Sequence, residues 1–195
     1  DNDGDLDVLL MGEDSSRQFR TGLFANNGEG NFAQVDSLVG MANGEVLWGD
    51  LDADGDLDLV ASGSTSDGLP VLRSFRNESG RLEDIDHGLP GLESSDLALS
   101  DFDGDGDLDL AAGGISEGGD LRTDVLVNSG DGTLVPLEGV ELPGIRGGDL
   151  VWGDFDNDRD QDLLIVGNNG TKPILRIYEN THGRNDTGEL FVLEP

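Results

Sequence analysis

The nine residues Asp101-Phe102-Asp103-Gly104-Asp105-Gly106-Asp107-Leu108-Asp109 place an aspartate at every odd position and a glycine at position six. Aspartates at positions one, three and five of a curled loop direct their carboxylates towards one centre, and glycine permits the sharp turn. Position seven then offers its backbone carbonyl, and position nine closes the shell. Calcium prefers six to eight such oxygen ligands, whereas magnesium keeps several waters. The stretch is therefore predicted to be a calcium-binding loop.

The same stretch recurs along the whole chain. The last aspartates of the four loops, at positions 7, 58, 109 and 162, are separated by 51, 51 and 53 residues. Such a period indicates a repeat architecture. We predict Ca²⁺ ligands at Asp1, Asp3, Asp5 and Asp7 in loop one, Asp50, Asp52, Asp54, Asp56 and Asp58 in loop two, Asp101, Asp103, Asp105, Asp107 and Asp109 in loop three, and Asp154, Asp156, Asp158, Asp160 and Asp162 in loop four.

The four loops differ in completeness. Loops two and three have every predicted ligand. Loop four has Arg159 in place of the glycine, which costs roughly 1–2 kcal/mol if the position is left-handed, so weaker binding is predicted. Loop one lacks its position-one aspartate and is predicted to bind poorly or not at all.

Four short apolar runs separated by Gly/Asn/Asp turns surround each loop. The runs are too short for helices, and 31 glycines with only 10 aromatic residues favour strands joined by tight turns. Four antiparallel strands per repeat are typical of a β-propeller blade, which must stack on other blades to bury its faces. The fold class is therefore predicted to be all-β. One propeller region would span 1–195, with blades over 1–44, 45–95, 96–148 and 149–195, and with Ala61, Ala111, Ala112 and Gly113 where sheets pack closely.

The first repeat begins inside its loop and so lacks an innermost strand. A closed ring of four blades would then have an open seam. We expect the chain to be part of a larger propeller, such as one of seven blades, completed by the rest of the chain or by another subunit. We also expect the N-terminus to be a cut end, with any targeting segment upstream.

The charge excludes some partners. Eleven basic residues against 42 acidic ones give a formal net charge of −31, so no basic face for nucleic acid is possible, and an anionic membrane surface is disfavoured. No window approaches the roughly 18 apolar residues of a membrane span, so membrane insertion is not expected. The chain has no cysteine and therefore no disulfide.

The repeats resemble the FG-GAP/VCBS family, the calcium-loop blades of integrin α-subunit heads and of many bacterial surface proteins. The resemblance rests on the aspartate loops and covers nearly the whole chain. It implies a β-propeller in which the loop joins the first two strands of a blade. It also implies a secreted or cell-surface location and a role in adhesion or ligand binding, without fixing the ligand.

Three functions remain open. The leading one is a non-catalytic calcium-binding module for a protein or glycan ligand. The others are a carbohydrate-binding or polysaccharide-cleaving propeller and a structural subunit of an extracellular assembly. Nucleophile elbows, phosphate loops and zinc spacings do not occur, so no enzyme is predicted. We expect the acids that precede the innermost strands, Glu45, Asp96 and Asp149, to line the channel mouth. Trp48 and Trp152 are expected to pack at equivalent strand positions, and His87 and His182 to be solvated. Glycosylation sequons begin at Asn77, Asn169 and Asn185.

Overall fold

The computed structural model describes residues 3–85, 88–181 and 191–193, the last three by backbone alone. All regular structure in these residues is β, which confirms the predicted class. The strands are β1 (Val8–Glu13), β2 (Phe19–Asn26), β3 (Phe32–Leu38), β4 (Met41–Ala42), β5 (Val46–Gly49), β6 (Asp58–Thr65), β7 (Pro70–Asn77), β8 (Leu82–Ile85), β9 (Glu93–Ser100), β10 (Asp109–Ile115), β11 (Leu121–Asn128), β12 (Leu134–Pro136), β13 (Arg146–Gly153), β14 (Asp162–Asn168), β15 (Pro173–Glu179) and β16 (Phe191–Leu193).

The strands form four antiparallel sheets, one for each sequence repeat. Sheet one has the order β1-β2-β3, sheet three β9-β10-β11-β12 and sheet four β13-β14-β15-β16. In sheet two the innermost strand is split, because β4 and β5 both pair with β6, and β7 and β8 follow. Asn43 separates the two halves with a φ of 58°, a left-handed conformation that asparagine tolerates. These sheets have the form of propeller blades.

The innermost strands of sheets two to four begin at Met41, Glu93 and Arg146. These residues precede the predicted blade boundaries at 45, 96 and 149 by three or four residues. Register shifts in the β9–β10 and β13–β14 pairs let two of these strands continue past a bulge. A bulge of this kind leaves no clear signature in the apolar pattern.

A separate hydrophobic core lies between each pair of consecutive sheets. Leu23 of sheet one packs with Leu59 and Phe75 of sheet two, and the other two cores follow the same plan. The core between sheets two and three contains Leu51, Val60, Leu110 and Leu126, and the core between sheets three and four contains Phe102, Ala111, Ile145, Leu163 and Tyr178. The small residues Ala61, Ala111 and Ala112 are fully buried in these cores, as predicted.

Sheet four leaves apolar side chains exposed. Phe155 is 52% exposed, whereas its equivalents Leu51 and Phe102 are buried against the next sheet. Val151 and Leu175 are exposed as well. Within the described part of the chain, no helix has the length and hydropathy needed to cross a membrane.

Candidate metal centres

The acidic loops connect the first two strands of each blade. Residues 50–57 join β5 to β6, residues 101–108 join β9 to β10, and residues 154–161 join β13 to β14. Residues 3–7 lead into β1 in the same way. This placement is the one that the family resemblance implied.

The structure gathers the aspartates of positions one, three and nine. In each complete loop, one carboxylate oxygen from each of the three residues lies within 4.8 Å of the others. Oxygens this close can bind one calcium ion, because calcium–oxygen distances are about 2.3–2.6 Å. In loop two, Asp50 Oδ1 is buried and has no hydrogen-bond partner. A buried oxygen without a donor is costly unless a cation satisfies it. The groups are Asp50, Asp52 and Asp58; Asp101, Asp103 and Asp109; and Asp154, Asp156 and Asp162.

The aspartate at position nine fixes each loop to its blade. Asp109 is fully buried and accepts hydrogen bonds from the backbone N–H groups of Phe102 and Asn128, both at 2.8 Å. Burial, helped by the charges of Asp103 and Asp105, raises the pKa of Asp109 to about 6, although the two N–H donors act to lower it. A bound cation would offset both the burial and the repulsion and would favour the ionised carboxylate.

The position-five carboxylates accept hydrogen bonds from the backbone at position seven. Asp105 Oδ1 accepts a hydrogen bond from the backbone N–H of Asp107 at 3.0 Å, and Asp54 and Asp56 make the same contact at 2.8 Å. Asp56 Oδ2 also accepts from the N–H of Ser79 in the β7–β8 turn. Asp54 and Asp105 are not among the three aspartates gathered in their loops, and coordination by their carboxylates stays a prediction. Coordination through the backbone carbonyl of position seven stays a prediction.

Loop four departs from the others as its sequence indicated. Arg159 has a φ of 84°, close to the 96° of Gly55 and the 104° of Gly106, so an arginine occupies a left-handed position. Asp158 joins Asp156 and Glu179 in a second group of carboxylates within 4.8 Å. The aspartate spacing did not indicate Glu179, because this residue lies at the end of β15, outside the loop.

In loop one, Asp3, Asp5 and Asp7 are described, and Asp1 lies outside the described residues. Asp3 Oδ1 accepts from the N–H of Asp5 at 2.9 Å, and Asp7 Oδ1 accepts from the N–H of Asn26 at 2.9 Å. Loop one thus repeats the contacts of the other loops in the residues that it has.

A repeated asparagine at or just after the end of strands β2, β7, β11 and β15 was not predicted to support the loops. The buried Asn128 donates from Nδ2 to the carbonyls of Leu51 at 2.7 Å and Leu108 at 3.1 Å, so it joins blade three to loop two. Asn180 makes the equivalent bond to Phe102 of loop three at 2.7 Å. The signal was present in the sequence, because the asparagines recur at Asn26, Asn77, Asn128 and Asn180.

The three sequons have different surroundings. Asn77 ends β7, where its Nδ2 donates to the carbonyl of Leu57 and its Oδ1 accepts from the N–H of Gly80. Asn169 lies in the β14–β15 turn, and its Oδ1 accepts from Thr171 and Lys172. Asn185 lies outside the described residues, as do His87 and His182. Glycosylation stays a prediction.

The acids of the innermost strands reach to the next blade. Glu45 Oε2 accepts from the N–H of Leu97 at 2.7 Å, and Asp96 Oδ2 accepts from the N–H of Gly148 at 3.3 Å. Burial and, to a smaller extent, the charge of Asp149 raise the pKa of both carboxyl groups, that of Asp96 to about 6. These contacts give Glu45 and Asp96 a structural role.

The two tryptophans are not equivalent. Trp152 packs as predicted, because its ring lies 5.4 Å from that of Phe102 and its Nε1 donates to the carbonyl of Ala98. Trp48 is 39% exposed and lines a cavity of about 360 Å³ between sheets one and two. Leu57 and Leu82 line the same cavity.

Comparison with known proteins identifies one family. A model described as an FG-GAP-like repeat matches residues 1–61, 50–112 and 101–165. Each match runs from one acidic loop through the next, so the family repeat has the period seen in the sheets. No curated protein and no solved structure matches the chain.

Proposed function

Because the chain belongs to the FG-GAP-like repeat family, we propose that it is a calcium-stabilised, propeller-type module that binds a protein or glycan ligand outside the cell. FG-GAP-like repeats are often found in adhesion or interaction modules and are generally non-catalytic. The observation that carries the calcium part of the proposal is the repeated gathering of three aspartates in loops two, three and four. Bound calcium would cross-link the loop and hold the first two strands of the blade together.

The proposed location agrees with the affinity expected of such sites. Calcium sites in extracellular modules typically have dissociation constants of about 10⁻⁴–10⁻³ M, so they fill at extracellular calcium concentrations. A net charge of −31 on a chain of this size also requires counter-charge, which bound divalent cations supply.

Chelation tests the calcium proposal. Protein stripped with EDTA and then titrated with calcium should melt at a higher temperature as the cation is added. At 100 times the dissociation constant, one site contributes about 2.7 kcal/mol to the free energy of unfolding. Elemental analysis should find calcium in the protein as purified, and magnesium at equal concentration should stabilise less. An unchanged melting temperature together with no bound calcium would contradict the proposal.

Asp101→Asn tests loop three separately from the other loops. The change removes one carboxylate of the loop-three group but keeps an oxygen that can accept the N–H of Gly104. We expect calorimetry to show one fewer bound calcium, with the circular dichroism spectrum of the β-sheets unchanged. Retention of all calcium equivalents would exclude loop three as a site.

A carbohydrate ligand is the second candidate, and Trp48 favours it. Aromatic faces at a cavity can stack on sugar rings, and Trp48 is exposed at a cavity of about 360 Å³. A glycan array should show binding that Trp48→Ala abolishes and Trp48→Phe retains. Binding that survives Trp48→Ala, or an array with no binding, would remove the argument for this cavity.

A further inference from the structure

We propose that the residue immediately before the repeated asparagine sets the cation affinity of each loop, by the charge that it brings to the carboxylate group. We call this residue the tuning position, and it is Ala25, Arg76, Val127 and Glu179 in blades one to four. The inference rests on the proposed calcium binding and goes beyond it, because it ranks the loops by a residue outside the acidic motif.

In blade two the tuning position carries a positive charge that already engages a predicted ligand. Arg76 Nε lies 2.9 Å from Asp52 Oδ2, and the Asp52 side chain is only 13% exposed. Arg76 Nη2 also donates to the carbonyl of Asp131 in blade three at 2.7 Å, which holds the guanidinium in place. A cation entering loop two must therefore compete with this ion pair and bind beside a fixed positive charge.

In blade four the tuning position carries a negative charge. A carboxylate oxygen of Glu179 lies within 4.8 Å of oxygens of both Asp156 and Asp158. This extra carboxylate offsets the positive charge that Arg159 brings to the same loop. Glu179 thus restores a negative field to the one complete loop that lacks the glycine.

In blade three the tuning position is neutral, since it is Val127. Loops two and three have the same aspartate pattern and the same glycine at position six. Within the nine residues they differ only at positions two and four, where both carry neutral residues, whereas the tuning position differs in charge. The acidic motif predicts equal affinities for these two loops and a weaker loop four. The tuning position instead predicts that loop three binds calcium more tightly than loop two and that loop four depends on Glu179.

The test follows each loop separately by ¹⁵N–¹H NMR during a calcium titration of the EDTA-stripped chain. The amides of Gly55, Gly106 and Arg159 report loops two, three and four. Removing the charge by Arg76→Gln, which can still donate to the carbonyl of Asp131, should raise the affinity at Gly55 about tenfold, the change that corresponds to about 1.4 kcal/mol. Gly106 should titrate as in the parent.

Two further variants make the test reciprocal. Moving the charge to blade three by Val127→Arg should lower the affinity at Gly106 about tenfold, and Glu179→Gln should lower it at Arg159 by a similar factor. Shifts within twofold for Arg76→Gln and Val127→Arg, with calcium still binding, would overturn the inference and leave the proposed function standing. If none of the three amides responds to calcium, the calcium proposal fails, and the inference fails with it.

Discussion

At the scale of single residues, backbone conformation limits the acidic loops more than space does. Gly55 and Gly106 have positive φ values, and a Cβ added to either would meet nothing within 4 Å. Arg159 adopts the same conformation at a cost of roughly 1–2 kcal/mol. The cost is therefore backbone strain and not steric contact. Replacing Arg159 by glycine should relieve this strain without any rearrangement of neighbouring side chains.

Arg159→Gly is expected to stabilise the chain. The relieved strain exceeds the extra backbone entropy of glycine, so the free energy of unfolding should rise by about 0.5–1 kcal/mol. Chemical denaturation with and without calcium measures the effect, and calcium binding at loop four should tighten. Gly106→Ala is the converse control and should destabilise by a similar amount. A loss of stability in Arg159→Gly would show that the arginine side chain makes a compensating contact.

Asp96 gives the molecule a predictable pH dependence. Burial raises its folded-state pKa from 3.8 to about 6, and Glu45 and Asp149 face it. A raised carboxyl pKa means that folding favours the protonated form. The stabilisation is therefore complete below pH 3.8 and is lost as the pH rises through about 6.

Asp96→Asn should consequently raise the free energy of unfolding at pH 7.5 by about 1 kcal/mol, because the variant keeps an acceptor for the N–H of Gly148 but has no buried charge. At pH 4.5 the gain should largely disappear. Asp67→Asn, in the exposed β6–β7 turn, serves as the control and should change little. Equal gains at both pH values would contradict the assignment.

At the scale of structural elements, Asn128 and Asn180 connect neighbouring blades by hydrogen bonds. Asn128 donates to two carbonyls and accepts from the N–H groups of Gly130 and Gly132, so it satisfies buried backbone groups of two blades at once. No other side chain of its size could do so without leaving a buried polar group unpaired.

Asn128→Ala should therefore lower the free energy of unfolding by about 3 kcal/mol, since several buried donors and acceptors lose their partner. Asn77→Ala is the matched control. Asn77 has the equivalent position, is half-buried, and bonds to Leu57 and Gly80 of its own blade, so about 1–2 kcal/mol is expected. Thermal denaturation at fixed calcium concentration measures both. Equal losses would show that the bond to Leu51 contributes nothing.

Some of these elements could be predicted from sequence and others could not. Aspartate spacing and glycine at position six describe geometry within nine residues, so the loops and the flanking strands could be predicted from the sequence. The contact of Asn128 with Leu51 spans 77 residues, and the ion pair of Arg76 with Asp52 crosses from β7 to the loop. Such contacts depend on how the strands and sheets come together, which the spacing of a motif does not encode.

At the scale of the whole molecule, hydrogen bonds connect the loops in series. Leu51 donates its N–H to Asp58 and accepts from Asn128, and the N–H of Asn128 is donated in turn to Asp109. The same steps continue through Phe102 and Asn180 to Asp162, whose other donor is the N–H of Phe155. The residue at position two of loops two and three is thus the link to the next blade.

This series predicts that two phenylalanines at equivalent loop positions contribute very differently to stability. Phe102→Ala removes a buried ring and should cost about 3–5 kcal/mol, whereas Phe155→Ala, at an exposed position, should change stability by less than about 0.5 kcal/mol. Thermal denaturation compares the two. Sedimentation should show that Phe155→Ala weakens any association through the exposed face of sheet four. A large loss of stability in monomeric Phe155→Ala would mean that this face is already covered.

The hydrogen bonds of Asn128 and Asn180 between blades also determine where such a protein can be shortened or extended by design. Each link takes its carbonyl from one sequence repeat and its amide from the next, so the cooperative unit runs from Leu51 to Asn128, across the boundary of two blades. A cut between repeats would leave a buried amide without an acceptor and a carbonyl without a donor. Arrays built from this chain should therefore be joined within a blade, and each added blade should bring the loop of its predecessor with it.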